Sequence, residues 1–533
     1  MNSGKRYVEN HSKLNIIKVL IAILIIIAAI FGIYKLTKKE KKVEAPKELG
    51  REIAINKTGK KDKTIDDYLE EYKAVLIEKV KDDTYYVSVD GVESTLYSDG
   101  TLANGELHIW NGESKELEIK KDANTLTINT PEELKWFADQ IISGERNFSG
   151  FTVSLNNNID LGGRIHEDLT LEGTRWNSIV GFLGNQEGSE EENLKGFAGT
   201  FEGNNHWIKG IIVESNDKYQ GLFGYLHGTI KNLTIKDSYI VGKEGVGAFC
   251  GLNEGKIENC KIKNVIVKGE SKIGGIAGIN LIGSEISGSS TNNEQCEISG
   301  NENVGGIVGY LNNNSSVINC ENKSPIKGEN YIGGIAGVSF FGTNITDCIN
   351  SKDISGKENI GGISGYSQSI IEKCKNQADI SGNKYIGGIV GINYETGNIS
   401  SSFNTGSIEA KEDFVGGISG INNATIVSTY NTGTITILSE NDNISIGGIS
   451  GQNLSESAIS NSYNIGILNS KYAGGIIGAN YGVMANCYYL DTTANIKTKE
   501  AKTEEEMKTI NLDEDFREDT DNVNDGYFIL NWQ

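Results

Sequence analysis

Ten times between residues 220 and 480 the chain repeats nearly the same word: a glycine pair, an apolar residue, a small residue and a further glycine. The copies read Ile-Gly-Gly-Ile-Ala-Gly at 273–278 and 332–337, Val-Gly-Gly-Ile-Val-Gly at 304–309 and Ile-Gly-Gly-Ile-Ser-Gly at 360–365. Their apolar centres are Leu222, Phe249, Ile276, Ile307, Ile335, Ile363, Ile389, Ile418, Ile449 and Ile476, at steps of 27, 27, 31, 28, 28, 26, 29, 31 and 27 residues. Such a period marks a solenoid, whose units bury their apolar edges only against one another.

Each unit carries two further apolar marks separated by Gly, Asn, Ser, Thr and Lys. The middle mark is Ile257, Ile286, Val317, Ile345, Ile371, Ile399, Ile426 and Ile459; the last is Ile266, Ile298, Ile326, Ile354, Ile380, Ile408, Ile435 and Ile467. Three short β-branched segments parted by turn formers predict a coil of three strands and three corners, and no interval has the length or period of a helix. Stacking places Ile on Ile every ~4.8 Å, so ten coils make a rod of roughly 45–50 Å. The glycine two residues after each centre, as in Gly224, Gly251 and Gly278, marks either a positive φ or a close approach to the neighbouring coil. Two Asn series also hold register: Asn322, Asn350, Asn376, Asn404, Asn431 and Asn464, and Asn253, Asn280, Asn393, Asn422, Asn453 and Asn480. Because equivalents are alike, they read as stacks that satisfy corner amides and tolerate left-handed turns, not as a site.

The stretch Gly-Leu-Phe-Gly-Tyr-Leu-His-Gly-Thr-Ile-Lys-Asn-Leu at 221–233, followed by Gly-Gly-Ile-x-Gly units, resembles the GLUG-motif repeats of bacterial surface proteins. Thr-Pro-Glu-Glu-Leu-Lys-Trp-Phe-Ala at 130–138, Asn-Ile-Asp-Leu at 158–161 and the ending Gly-Tyr-Phe-Ile-Leu-Asn-Trp-Gln are similar to that family's lead-in and close. The resemblance spans about residues 125–533 and implies an adhesin-like, right-handed parallel β-helix at the cell surface. Its motifs specify architecture more than function, since such repeats also accompany the protease domain of IgA-cleaving metallopeptidases.

A formal charge of −21 makes nucleic acid an unexpected partner for the rod. Val19 to Tyr34 is uncharged and nearly all aliphatic, so residues 16–36 are expected to form one membrane-spanning helix, with Lys18 snorkelling. Lysines follow it where a signal peptide would place small residues, which favours an uncleaved anchor. Basic residues flank both sides; the resemblance, against a slight positive-inside bias, implies that the rod lies outside.

Residues 1–15 then form a tail, 37–63 a polar tether and 64–125 a small α+β membrane-proximal region, with a helix expected from about Ile65 to Lys81. Residues 126–210 hold a cap helix and the first irregular coils, 211–490 the GLUG-type repeats and 491–533 a C-terminal cap. Thr130, Pro131 and Glu133 start the cap helix as N-cap, N1 proline and capping-box acid, and Leu134, Phe137, Ala138 and Ile141 form its apolar face. Five of seven cysteines, Cys260, Cys320, Cys348, Cys374 and Cys487, share one repeat position with Ser289, Ser402, Thr429 and Ser462, so they read as core fillers.

No catalytic constellation stands out. The repeat body lacks arginine, its acids are scattered, and Asp353 with Asp379 reads as a surface stack more readily than as a paired-carboxylate site. His166-Glu167 lacks the second His a zinc protease requires. The expected function is therefore non-catalytic binding of an extracellular glycan or protein, with no cofactor and no metal; the alternatives are a polysaccharide-degrading β-helix enzyme and a passive spacer. Phe403, Tyr430 and Tyr463 share one offset and are the candidate ligand-face aromatics among those that interrupt the repeat: Tyr310, Phe340, Phe341, Tyr366 and Tyr394.

Overall fold

The structure, a computed structural model, describes residues 65–533 apart from 72, 82–83, 90–91, 98–101, 105–108, 120–123, 167, 183–193, 293–296, 313 and 440–444. The expected membrane span, tether and tail lie outside the described residues. Among the described residues no helix is long and apolar enough to cross a membrane.

The predicted helix near residue 65 is short. Helix α1 (Ile65–Glu71) gives way to strand β1 (Ala74–Lys81), which pairs antiparallel with β2 (Thr84–Val89); β3 (Val92–Tyr97) and β4 (Leu102–Asn104) complete a four-stranded sheet. Val75, Leu76, Ile77 and Val80 fit a helical stripe, but as easily a β-branched strand that finds hydrogen-bonding partners at once in β2.

From β5 (Thr125–Ile128) onward the chain is an all-β parallel solenoid of about twelve turns. The middle column runs Leu126, Val153, Phe201, Ile230, Ile257, Ile286, Val317, Ile345, Ile371, Ile399, Ile426, Ile459 and Met484, each paired in register with the next. The centres of the glycine words form a second buried column, joined from Phe249 to Ile476 by N–H···O=C bonds of 2.8–3.0 Å between successive coils. The third column holds Val267, Ile298, Ile326, Ile354, Ile380, Ile408, Ile435 and Leu468. Its ends differ by one residue from the reading of Ile266 and Ile467: each is followed by a second apolar residue, and Ile467 is 54% exposed while Leu468 points inward. Strand periodicity of two makes such a slip a change of face.

A coil contains five short strands where three were expected. One turn runs Glu302–Gly305, Val308–Leu311, Ser316–Ile318, Glu321–Lys323 and Ile326–Lys327. The glycine pair breaks the word into two strands, and the left-handed Asn319 (φ 52°) turns the chain after the middle mark. Left-handed backbone thus falls on Asn232, Asn259, Asn319 and their equivalents and not on the two Asn series. Nor does the glycine after each centre need a positive φ; a Cβ on Gly278 would lie 2.3 Å from the Val246 nitrogen of the preceding coil.

The Asn253 to Asn480 series is interrupted by Leu311, Ser339 and Ser367, while the Asn322 to Asn464 series is a continuous buried amide ladder. Each Nδ2 donates to the Oδ1 of the next coil, from Asn322 to Asn350 (2.8 Å), Asn376 (2.8 Å), Asn404 (2.7 Å), Asn431 (2.8 Å) and Asn464 (2.9 Å). The same amides hold the corner backbone: Asn431 donates to Gly433 O and accepts from Gly433 N–H. The six described cysteines are buried and free. Cys348 Sγ sits 3.2 Å from Thr346 O, as Ser402 Oγ sits 2.7 Å from Ser400 O, so thiol and hydroxyl fill the same niche. Burial pushes the Cys260 and Cys487 thiols up to about 12.

The N-terminal end of the solenoid is covered. Helix α2 (Pro131–Ile142), with Thr130 accepting from Glu133 N–H, buries Leu134, Phe137, Ala138 and Ile141 as expected, and Phe137 packs on Phe148, Phe197, Phe201 and Phe223. The Glu133 carboxylate reaches back to Asn129 N–H (2.8 Å), one residue before the N-cap.

Asn404→Ala leaves the amides of Asn376 and Asn431 without their partner, so urea unfolding should show a loss of about 1–3 kcal/mol, whereas Cys348→Ser should change stability by about 1 kcal/mol or less. Because burial keeps the thiols protonated, Ellman's reagent should find Cys260 and Cys487 unreactive at neutral pH until the chain is unfolded.

Candidate functional site

The three candidate aromatics do form one strip. Phe403, Tyr430 and Tyr463 pair in register on adjacent strands, with ring centroids 4.6 and 5.0 Å apart and planes within 10°. They are not exposed, however. The C-terminal segment folds back over them, and Met507, Ile510, Phe516, Tyr527 and Leu530 pack with them in one buried cluster.

Hydrogen bonds fix that cover across three coils. Tyr463 OH donates to Phe528 O and accepts from Asn524 Nδ2 (2.7 Å); Tyr430 OH donates to Gln533 Oε1 (2.8 Å); Trp532 Nε1 donates to Ser401 O (2.8 Å). Asp513 Oδ2 accepts from both Ser428 Oγ and Asn461 Nδ2 at 2.6 Å. Burial pushes the Tyr463 phenol well above its ordinary range, consistent with a hydroxyl that serves as a structural bond. The covering segment lies outside the repeat, so spacing alone gave no sign of where it would land.

Of the other aromatics, Tyr310, Phe340, Tyr366 and Tyr394 lie half-buried at the surface. One outward position of the strand after the glycine word carries, coil by coil, Tyr225, Leu252, Ile279, Tyr310, Val338, Tyr366, Ile392 and Ile421. Two residues on, Phe340 and Tyr394 lean onto it: Tyr310–Phe340, Phe340–Tyr366 and Tyr366–Tyr394 have ring centroids 5.2, 6.0 and 5.9 Å apart. Phe341, at the adjoining turn, is 69% exposed. Burial, with Tyr394 and Glu395 nearby, pushes the Tyr366 phenol up to about 12, so it stays neutral at physiological pH. The result is an apolar ridge with tyrosine hydroxyls, able to form many weak contacts with an elongated partner.

Asp353 and Asp379 are engaged with backbone. Asp353 Oδ1 accepts from Asp379 N–H (3.3 Å) and Asp379 Oδ1 from Ser407 N–H (2.9 Å), each reaching one coil onward. His166 Nε2 lies 3.4 Å from Glu172, both well exposed. Among the described residues no group of three or more His, Cys, Asp and Glu could hold a metal ion.

Fold and surface together define a repeat protein of the parallel β-solenoid class. Residues 382–409, the coil around Ile389, match the model of the GLUG motif, so the solenoid contains a GLUG motif in that coil. A search of curated proteins finds no match. Among solved structures, a 1.30 Å crystal structure of a Bacteroides ovatus protein provisionally named an immunoglobulin A1 protease is similar over 76% of this chain and 92% of that one, at 17% identity and a TM-score of 0.35.

Tyr463→Ala should remove a fully buried ring and two hydroxyl bonds at a cost of about 3–5 kcal/mol, and the loosened cover should reveal itself as increased binding of the dye 8-anilinonaphthalene sulfonate under native conditions.

Proposed function

We propose that this chain is a non-catalytic binding solenoid of the cell surface, held by residues 16–36 as a single membrane-spanning helix, with its ridge presented outward to a glycan or protein ligand in adhesion. The observation that carries the reading is the ridge itself. An outward β face would ordinarily be polar, yet here Tyr310, Phe340, Tyr366 and Tyr394 make one half-buried run across four coils. Exposed apolar runs of this kind mark interaction surfaces. The engagement of Asp353 and Asp379 with neighbouring backbone supports binding over glycosidic chemistry, which needs carboxylates free to exchange protons. A right-handed winding is part of the proposal, since parallel crossovers within one sheet are overwhelmingly right-handed.

Glycan and protein arrays probed with the full chain should retain it on a ligand without releasing products. A Tyr366→Ala, Tyr394→Ala double variant with an unchanged melting temperature should bind that ligand about tenfold more weakly or worse, a loss of about 1.4 kcal/mol. Retention at the wild-type level would remove the ridge as the binding face, and product release would replace binding by catalysis. Protease treatment of intact cells should remove the repeat region; its protection would place it on the other side of the membrane.

A further inference from the structure

Two open cavities on the first coils, of about 500 and about 530 Å³, adjoin at Phe151 and His227, which line both. The second has a floor of bare backbone. A Cβ on Gly228 would stand 1.9 Å from Gly199 O, and one on Gly255 would stand 1.9 Å from Gly228 O, so these two positions can carry no side chain. Along it Thr152, Thr200 and Thr229 lie in register on three adjacent strands, each half-buried.

At the edge of this trough the ladder rule of identical equivalents is broken. His227 and Glu254 occupy successive levels of a column that continues as Leu281, Asn312 and Phe340. His227 Nδ1 lies 3.2 Å from Glu254 Oε2, which also accepts from Tyr225 OH at 2.5 Å, and the Tyr225 and His227 rings are in contact with centroids 4.3 Å apart. The carboxylate and the buried Tyr225 thus fix the orientation of the imidazole. Among the described residues His227 Nε2 and Glu254 Oε1 have no partner, although His227 is 43% exposed and Glu254 only 14%.

We propose that this trough is a binding site for a neutral linear saccharide, whose hydroxyls would be read by His227, Glu254 and the threonine row while one sugar face rests on Phe151. A sugar hydroxyl both donates and accepts, which is what a mixed set of carboxylate oxygen, imidazole nitrogen and threonine hydroxyls offers. Within the trough Glu254 offsets Lys256, and in the adjoining cavity Glu145 offsets one of Arg146 and Lys195, so positive charge is too sparse to select a polyanion. The trough extends over about three strand spacings, ~14 Å, and so suits a chain better than a single sugar. The His227 edge of the site lies three coils before Tyr310, the first residue of the aromatic ridge, and binding there does not depend on the ridge having a ligand.

Isothermal titration calorimetry of the full chain against cellohexaose, xylohexaose, mannohexaose and maltohexaose, with hexagalacturonate as the acidic probe, tests it. At least one neutral hexasaccharide should bind, and its Kd should rise about tenfold or more in His227→Ala and in Glu254→Gln, a loss of the size expected when polar partners are removed from a bound hydroxyl. Thr229→Val, which keeps the shape and removes a hydroxyl, should weaken binding in the same direction even if the other variants fold poorly. Tyr366→Ala should leave this affinity unchanged, which separates failure of the trough from failure of the ridge. No binding by any neutral probe, binding of hexagalacturonate alone, or an unchanged Kd in well-folded Glu254→Gln and Thr229→Val would overturn the proposal.

Discussion

In-register stacking of one coil on the next is the constraint from which the rest of this structure follows. Each glycine-word centre from Phe249 onward donates its N–H to the centre of the following coil, so the chain can vary only where a residue does not have to match the one above it. Inside, that condition selects isoleucine after isoleucine, because a β-branched side chain fits the pleat and packs on its own copy. At the corners it selects asparagine, whose amide can donate and accept along the stack at once. A foreign residue in such a ladder strands its neighbour, as where Leu311 follows Asn280 and leaves its Nδ2 unpaired.

Spacing and identity together made this legible in the sequence. Where both agreed, as for Ile276 through Ile476 or Asn376 through Asn464, every residue stands where it was read. Where two apolar residues are adjacent, as at Ile266-Val267 and Ile467-Leu468, the choice depended on which one the strand turns inward, and identity with the repeat pointed to the wrong member. The five-strand coil was hidden for a similar reason: a turn made by one left-handed Asn319 leaves no gap in the apolar pattern. Val75 to Val80 satisfied two periods equally, and the partner strand β2 decided between them.

The candidate site was legible in part. The register of Phe403, Tyr430 and Tyr463 followed from their common offset, but their cover comes from residues after Glu504, unrelated to the repeat in composition and spacing. His227 and Glu254 did carry a signal, since they depart from the residues that follow at their position. What the sequence lacked was the trough, which needs the glycine column and the early coils to be seen together. With helix α2 over one end and the C-terminal segment over the last aromatics, the outer face is what the solenoid has left to offer a partner.

Disulfide mapping of engineered cysteine pairs tests the stacked register most directly. Glu372 and Ser400 face each other on adjacent coils, whereas Val427 lies one coil further along the same column. Strands ~4.8 Å apart are within disulfide reach and strands two levels apart are not. A Glu372→Cys, Ser400→Cys chain should therefore cross-link under mild oxidation and a Glu372→Cys, Val427→Cys chain should not. Equal linkage of both pairs, or linkage of the distant pair alone, would contradict the coil-on-coil register on which the account stands.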